Sequence, residues 1–392
     1  MYIGYNEEQE GLRRELRAYY ARILTPEVRD ALHEERGCGP VHRKIIGQMG
    51  KDGWLGIGWP KEYGGQGRSQ IEQFVFFDES MRCGSPVPML TINTVGPTIY
   101  SNATDEIKAE ILPKVLAGEL LFCVGYTESG AGTDLASLTT RADRDGDDWI
   151  INGQKIFTSV ASDADYCWLA ARTDQDAAKH GGISMFLVDL KLPGIKIEPM
   201  DLLSSHDINN VYYDNVRVPG RYLIGGENRG WKLITSQLNH ERVTLCSAGM
   251  LEGTFDQVLR WARETKRPDG SRVIDQEWVQ LNLARVWSGI EFLRLLNWKV
   301  AWDAGQNKLD VADASTVKVF GTEFYMEGIR LMMEVIGPRA YLVKESPEAA
   351  IAGDLENRFR SLLILTFGGG TNEVQRDLIG MFGLGLPRAP RF

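Results

Sequence analysis

The alternation of apolar and polar positions divides the chain into three zones. From Asn6 to about Leu120 the apolar residues recur at helical spacing. Leu12, Leu16, Tyr19, Tyr20 and Ile23 stand three or four apart, the stripe of a helix packed on one face. Further helices are expected over Val41–Gly50, Gln70–Met81 and Asp105–Leu116, separated by glycine-rich links such as Tyr63–Gly67. From about Leu121 to Leu223 short runs rich in β-branched and aromatic residues alternate with turn residues. Leu138–Ala142 and Trp149–Ile151 read as a hairpin across Asp145-Gly146-Asp147-Asp148, and Asn152-Gly153 reads as a further turn. Strands are expected over Tyr166–Ala171, Ile183–Asp189, Ile195–Pro199 and Val211–Val218. Many strands at short spacing point to a barrel or sandwich rather than to βαβ units. From about Arg229 the helical period returns in longer runs: Trp231–Thr265, Asp275–Ala304, Asp310–Ile336 and Asp354–Thr366, with a last helix starting near Thr371. Long helices with short links pack as a bundle. The expected class is α+β. Its domains are an N-terminal helical domain (1–120), a middle β domain (121–228) and a C-terminal helical bundle (229–392).

Composition narrows the functional classes. The chain has 392 residues, with 44 Lys+Arg against 53 Asp+Glu and a net charge of −9. An acidic chain lacks the basic footprint of a nucleic-acid binder. Its longest apolar run, Tyr166–Ala171, is far short of a membrane span. The acidic start is no secretory signal, so the cytoplasm is the expected compartment. Five scattered cysteines and five scattered histidines, with no CxxC pair, support neither a disulfide framework nor a metal centre.

Four segments carry candidate chemistry. Tyr126-Thr127-Glu128-Ser129-Gly130-Ala131-Gly132-Thr133-Asp134 offers small residues, free N–H groups and hydroxyls to a flat or anionic ligand, unless it is a plain surface turn. Thr366-Phe367-Gly368-Gly369-Gly370-Thr371-Asn372-Glu373 runs three glycines into a helix start, which suits an oxyanion or merely links two helices. In Leu238-Asn239-His240-Glu241-Arg242, Glu241 falls on the apolar stripe of Ile234, Leu238, Leu245 and Ala248. A carboxylate buried there would have a pKa raised toward that of a useful general base; an exposed ion pair is the plainer alternative. In Asn152–Ser159, Phe157 and Ser159 share one strand face beyond the turn, unless the segment is a plain hairpin.

Taken together, these segments resemble the acyl-CoA dehydrogenase family over nearly the whole chain. Thr127–Asp134 is similar to its flavin-binding signature, Thr-Glu-Pro-Gly-Ala-Gly-Ser-Asp. Asn152-Gly153-Gln154-Lys155 and Gly370-Thr371-Asn372-Glu373-Val374-Gln375-Arg376 are similar to two further family segments. Leu238–Arg242 together with Leu365–Glu373 most resembles the actinobacterial steroid acyl-CoA dehydrogenases, which are α2β2 heterotetramers. The resemblance implies a middle β-barrel, a four-helix bundle and an FAD cofactor. It implies an acyl-CoA substrate with a cholesterol-type side chain, a second dehydrogenase-like subunit and an electron-transfer flavoprotein as acceptor. An oxygen-using acyl-CoA oxidase and a non-catalytic scaffold subunit are the rival readings. By the same resemblance Tyr126, Thr127, Gly132, Thr133, Phe157 and Ser159 contact the flavin, and Thr371 and Glu373 lie near its ribose or phosphates. Many members carry the catalytic Glu just ahead of the last segment, where this chain has Gly369; others carry it on a bundle helix directly before an Arg, as with Glu241 and Arg242. The resemblance therefore makes Glu241 the base and gives the Gly369 N–H to the thioester oxygen. Two departures stand out. Arg263–Gly270 lacks the family's Arg-x-x-Phe-Gly, and Glu334-Val335-Ile336-Gly337-Pro338 stands where Gln and a Gly-Gly pair are usual. The half-site that a member offers to its neighbour's cofactor looks degraded, which implies a heteromer with fewer flavins than chains.

Overall fold

Helices α1 (Glu7–Ile23), α2 (Pro26–Glu34), α3 (Pro40–Lys51), α4 (Gln70–Cys83), α5 (Gly96–Asn102) and α6 (Asp105–Leu116) form the N-terminal zone. The computed structural model describes residues 4–35, 37–203, 207–306 and 308–388, and of residues 238–245 the backbone alone. The stripe on α1 is buried as its spacing predicts, at Leu12, Leu16, Tyr19 and Tyr20. Reciprocal bonds between Asn6 and Gln9 start α1, and Ser69 and Glu72 start α4 in the same way. Every residue of α4 from Phe74 to Ser80 is buried, including Asp78 and Glu79. Glu79 faces α1, where it takes Arg13 at 2.8 Å and Arg17 at 2.7 Å.

Strands β1 (Phe122–Gly125), β2 (Arg141–Asp145), β3 (Asp148–Ser159), β4 (Tyr166–Arg172), β5 (Ile183–Asp189), β6 (Ile195–Pro199), β7 (Ile208–Pro219) and β8 (Leu223–Ile224) form the middle zone. Among the described residues they make one sheet in the order β6-β7-β3-β2-β4-β5-β8, with β1 parallel on β4. The β2–β3 hairpin turns where the Asp-Gly pair predicts, with Asp145 opposite Asp148 and Gly146 at φ 64°. Its first strand begins at Arg141, not Leu138, because Thr139 and Thr140 bond the Glu128 carboxylate instead of a strand. The turn expected at Asn152-Gly153 is also corrected. β3 runs straight through it and pairs with β7, with a shift in register between Ile151 and Gly153. Gly153 (φ 152°) lies against Thr140, so close that a Cβ there would stand 2.5 Å from Thr140 Oγ1. A second shift, between Lys155 and Thr158, puts Phe157 in the left-handed region (φ 55°). Phe157 and Ser159 therefore do not alternate as a regular strand would place them.

The C-terminal zone contains α7 (Gly230–Leu245), α8 (Gly249–Glu264), α9 (Glu277–Gly305), α10 (Val311–Ile336), α11 (Asp354–Leu362) and α12 (Asn372–Leu378). The single helix expected over Trp231–Thr265 is two helices, broken at Cys246–Ala248. Buried side chains from elsewhere make the break. Asp78 of α4 accepts from the Gly249 N–H at 2.8 Å and from Ser247 Oγ at 2.6 Å. Asn297 of α9 accepts from the Ala248 N–H at 3.2 Å and donates to the Cys246 carbonyl at 2.7 Å. These bonds satisfy groups that a helix end leaves open. Ala248 consequently belongs to the start of α8 and not to the stripe of α7. No helix among the described residues is long and apolar enough to cross a membrane.

Candidate active site

The Thr127–Asp134 segment leaves β1 and doubles back at once, since Glu128 and Ala131 exchange backbone hydrogen bonds at 3.1 Å. Ser129 and Gly130 form the tip. A Cβ on Gly130 would meet nothing within 4 Å, and one on Gly132 only Thr127 Cγ2 at 4.0 Å, so open space faces both. Below the tip the Glu128 side chain turns inward. It accepts from Lys155 Nζ at 2.7 Å, from the Thr139 N–H and Oγ1 at 2.7 Å each, and from the Thr140 N–H at 2.9 Å. Lys155, 0% exposed, also donates to the Tyr126 carbonyl at 3.1 Å. One buried ion pair thus grips the root of the loop from two sides. Burial pushes the Glu128 carboxyl up, but the neighbouring ammonium and the three further donors outweigh it and hold the group at about 2.

The loop is tied to its surroundings at two more points. The Ile156 N–H donates to the Thr127 carbonyl at 2.9 Å, which brings the Phe157 bulge beside the loop. Phe157 itself is 52% exposed. Tyr126 Oη donates to Gln237 Oε1 at 2.5 Å, and Trp168 Nε1 donates to the same oxygen at 2.7 Å. Gln237 lies on α7, so the sheet and α7 meet at Tyr126. Position 241 follows four residues later, just over one turn along that helix. The side chains of Glu241 and Arg242 lie outside the described residues.

The second glycine segment follows α11. Gly369 (φ 67°) and Gly370 (φ 93°) both take the left-handed backbone that favours glycine. Thr371 caps α12 by accepting from the Val374 N–H at 3.3 Å, and Glu373 stands in its first turn. Lys318 of α10 reaches the segment from below, donating to the Thr366 carbonyl at 3.0 Å and to Asn372 Oδ1 at 2.7 Å. Gln375 is fully buried beneath Gly370, and neither end of its amide has a hydrogen-bond partner among the described residues. α7 and α10 pack together, so the helix that bonds one glycine segment adjoins the helix that bonds the other.

Tyr126, Thr127, Phe157 and the loop glycines are therefore brought together. Gly132 and Thr133 lie on the outer limb of the loop, and Ser159 lies two residues beyond the bulge, opposite Ile208. Gly369, Thr371 and Glu373 belong to the second segment. Sequence reasoning missed Glu128–Lys155, Gln237, Lys318 and Gln375. Two of them carried a signal: Lys155 shares the inward parity of Trp149 and Ile151, and Lys318 shares the buried stripe of Ala314, Val317, Gly321 and Tyr325. The residues suit a flavin nucleotide. An open glycine tip leaves room for a flat or anionic group, an exposed phenyl group offers an apolar face, and a buried amide has no hydrogen-bond partner among the described residues.

Comparison with known proteins agrees along the whole length. The acyl-CoA dehydrogenase N-terminal, middle and C-terminal domain models match residues 6–119, 123–216 and 228–384. Acyl-CoA dehydrogenase FadE26 of Mycobacterium tuberculosis is 53% identical over 403 residues, covering 100% of each chain. A chain of the ChsE4-ChsE5 complex from the same organism superposes with a TM-score of 0.93 at 53% identity, over 99% of this chain and 100% of that one. A chain of the Tcur3481-Tcur3483 steroid ACAD gives a TM-score of 0.93 at 45% identity, with the same coverage.

Proposed function

The chain belongs to the acyl-CoA dehydrogenase family, and from that premise we propose that it catalyses FAD-dependent α,β-dehydrogenation of a steroid side-chain acyl-CoA, as one subunit of a heteromer. Full-length similarity to a chain described as part of a steroid ACAD carries the substrate class. In this reading the domains run 1–120, 121–228 and 229–392, with a barrel in the middle domain and a four-helix bundle in the last.

Removing hydrogen next to a thioester needs a base at the α-carbon and donors on the thioester oxygen. Glu241 is the base and takes the α-proton, with Arg242 beside it. The Gly369 N–H donates to the thioester oxygen, which makes that proton more acidic. Gly369 stands where many members carry the catalytic Glu, and its left-handed backbone favours glycine. Tyr126, Thr127, Gly132, Thr133, Phe157 and Ser159 hold the flavin, with Thr371 and Glu373 near its ribose or phosphates. When bound, the flavin would supply the acceptor for the β-hydride, and the electron-transfer flavoprotein is the proposed outlet for the electrons.

Two surfaces support the heteromer. Near the departed Glu334–Pro338 segment is a cavity of about 380 Å³ whose two arginines are already engaged. Arg330 is held by Glu327 and Glu334, and Arg360 by Glu356 at 2.6 Å. Glu334 and Glu356, which line the cavity, add negative charge that opposes a neighbour's pyrophosphate. On α9, Trp278, Leu281, Phe292, Leu295 and Trp302 are exposed at helical spacing, an apolar stripe suited to a second subunit. The test uses the complex with that subunit. Glu241→Gln lowers turnover of a steroid side-chain acyl-CoA by about 10²–10⁴-fold; near-normal turnover rejects Glu241 as the base.

A further inference from the structure

Lys318 lies in the first third of α10 and is 0% exposed. Burying an ammonium is costly unless hydrogen bonds replace its water. The bonds it makes to the glycine segment go to Thr366 and Asn372, the two residues that flank Phe367–Thr371. Asn372 is held further, since its Nδ2 donates to Thr322 Oγ1 at 3.0 Å and to Glu323 Oε1 at 3.2 Å. The turn between these anchors contains three consecutive glycines, the residues with most backbone freedom to lose on ordering. Two of them hold positive φ. A methionine at 318 would fill similar volume with no polar group to satisfy, so what the ammonium adds is a fixed distance and direction between the ends of the turn.

We propose that Lys318 is a positioning residue that clamps both ends of the Phe367–Thr371 turn and so aims the Gly369 N–H at the acyl thioester. The inference rests on the role given to Gly369 above. Lys318 acts through the turn and does not touch the substrate.

The experiment compares Lys318→Met and Asn372→Ala with the parent in the flavin-loaded complex. Two readouts are needed. Amide hydrogen exchange reports the clamp without any turnover: exchange across 366–372 should rise at least about 10-fold in either variant, while the sheet stays protected. Turnover of a steroid side-chain acyl-CoA reports the aim: kcat should fall by about 10²-fold, the scale of a misplaced catalytic contact. Unchanged exchange overturns the clamp. Faster exchange with unchanged kcat overturns the link to the thioester. Should Lys318→Met not fold, Asn372→Ala decides, because it removes one anchor and leaves the ammonium in place. A parent complex that turns over no acyl thioester refutes the proposed function instead, and the exchange result still decides the clamp.

Discussion

Replacing Lys155 with Met leaves the Glu128 carboxylate buried without its counter-ion. Three donors remain on it, the Thr139 N–H and Oγ1 and the Thr140 N–H. Breaking a buried pair from one side costs about 3–5 kcal/mol. The titration of Glu128 gives a second route to the magnitude. A carboxyl at about 2 instead of 4.5 contributes on the order of 3 kcal/mol at neutral pH, and burial, which lowers the Lys155 ammonium, offsets part of that. That contribution is complete above the unfolded value of 4.5 and is lost as pH falls through about 2. Without Lys155 both lowering influences of the ammonium are gone and burial is opposed only by the donors of Thr139 and Thr140, so the carboxyl moves up from about 2. The variant therefore lacks most of the stability that the parent gains between about 2 and 4.5, and it falls furthest behind the parent at neutral pH. Thermal melting at pH 7 should show the sheet transition lowered by roughly 10 °C. At pH 3, inside the window where the parent loses its own contribution, the deficit should shrink, and Glu128→Gln added to Lys155→Met should recover part of it at pH 7. A variant that melts within about 2 °C of the parent at pH 7, or whose deficit is the same at pH 3, refutes the view that this ion pair holds the loop.

Two further outcomes follow from packing. A Cβ on Gly249 would stand 2.1 Å from the Asp78 carbonyl oxygen, so Gly249→Ala should push α8 away from α4 and destabilise the chain by about 1–3 kcal/mol, read by thermal or denaturant melting. Leu295→Lys with Trp302→Lys puts charges into the apolar stripe of α9; co-purification with the second subunit should be lost while the isolated chain keeps its circular dichroism.

The sequence carries local order well and long-range order poorly. Ile183–Asp189, Ile195–Pro199 and Asp105–Leu116 coincide with their expected bounds, because turn residues and caps mark their ends within a few positions. The break between α7 and α8 has no such mark. Its causes are Asp78 and Asn297, about 170 and 50 positions away, and the local stretch reads as unbroken helix. Asn152-Gly153 misleads in the opposite way. The pair favours a turn by itself, but Thr140 and strand β7 press it into a bulge. Of the site, the glycine segments were legible because close backbone approach needs small residues. The groups beneath them were not: Glu128 and Lys155 are 27 positions apart, and nothing near either announces the other. Lysine in a buried stripe was nonetheless readable, by the argument that drew attention to Glu241.

Asp78 also has a consequence for synthesis. The helix that bears it leaves the ribosome early, while the amide it caps, that of Gly249, comes 171 residues later. At the usual pace of translation that gap lasts roughly 10–30 s. For all that time the nascent N-terminal part has an acidic group built for a dry interior but still waiting for its companion. The N-terminal helices therefore reach their finished state only after the C-terminal helical zone has begun to emerge, and chaperones have that interval in which to act.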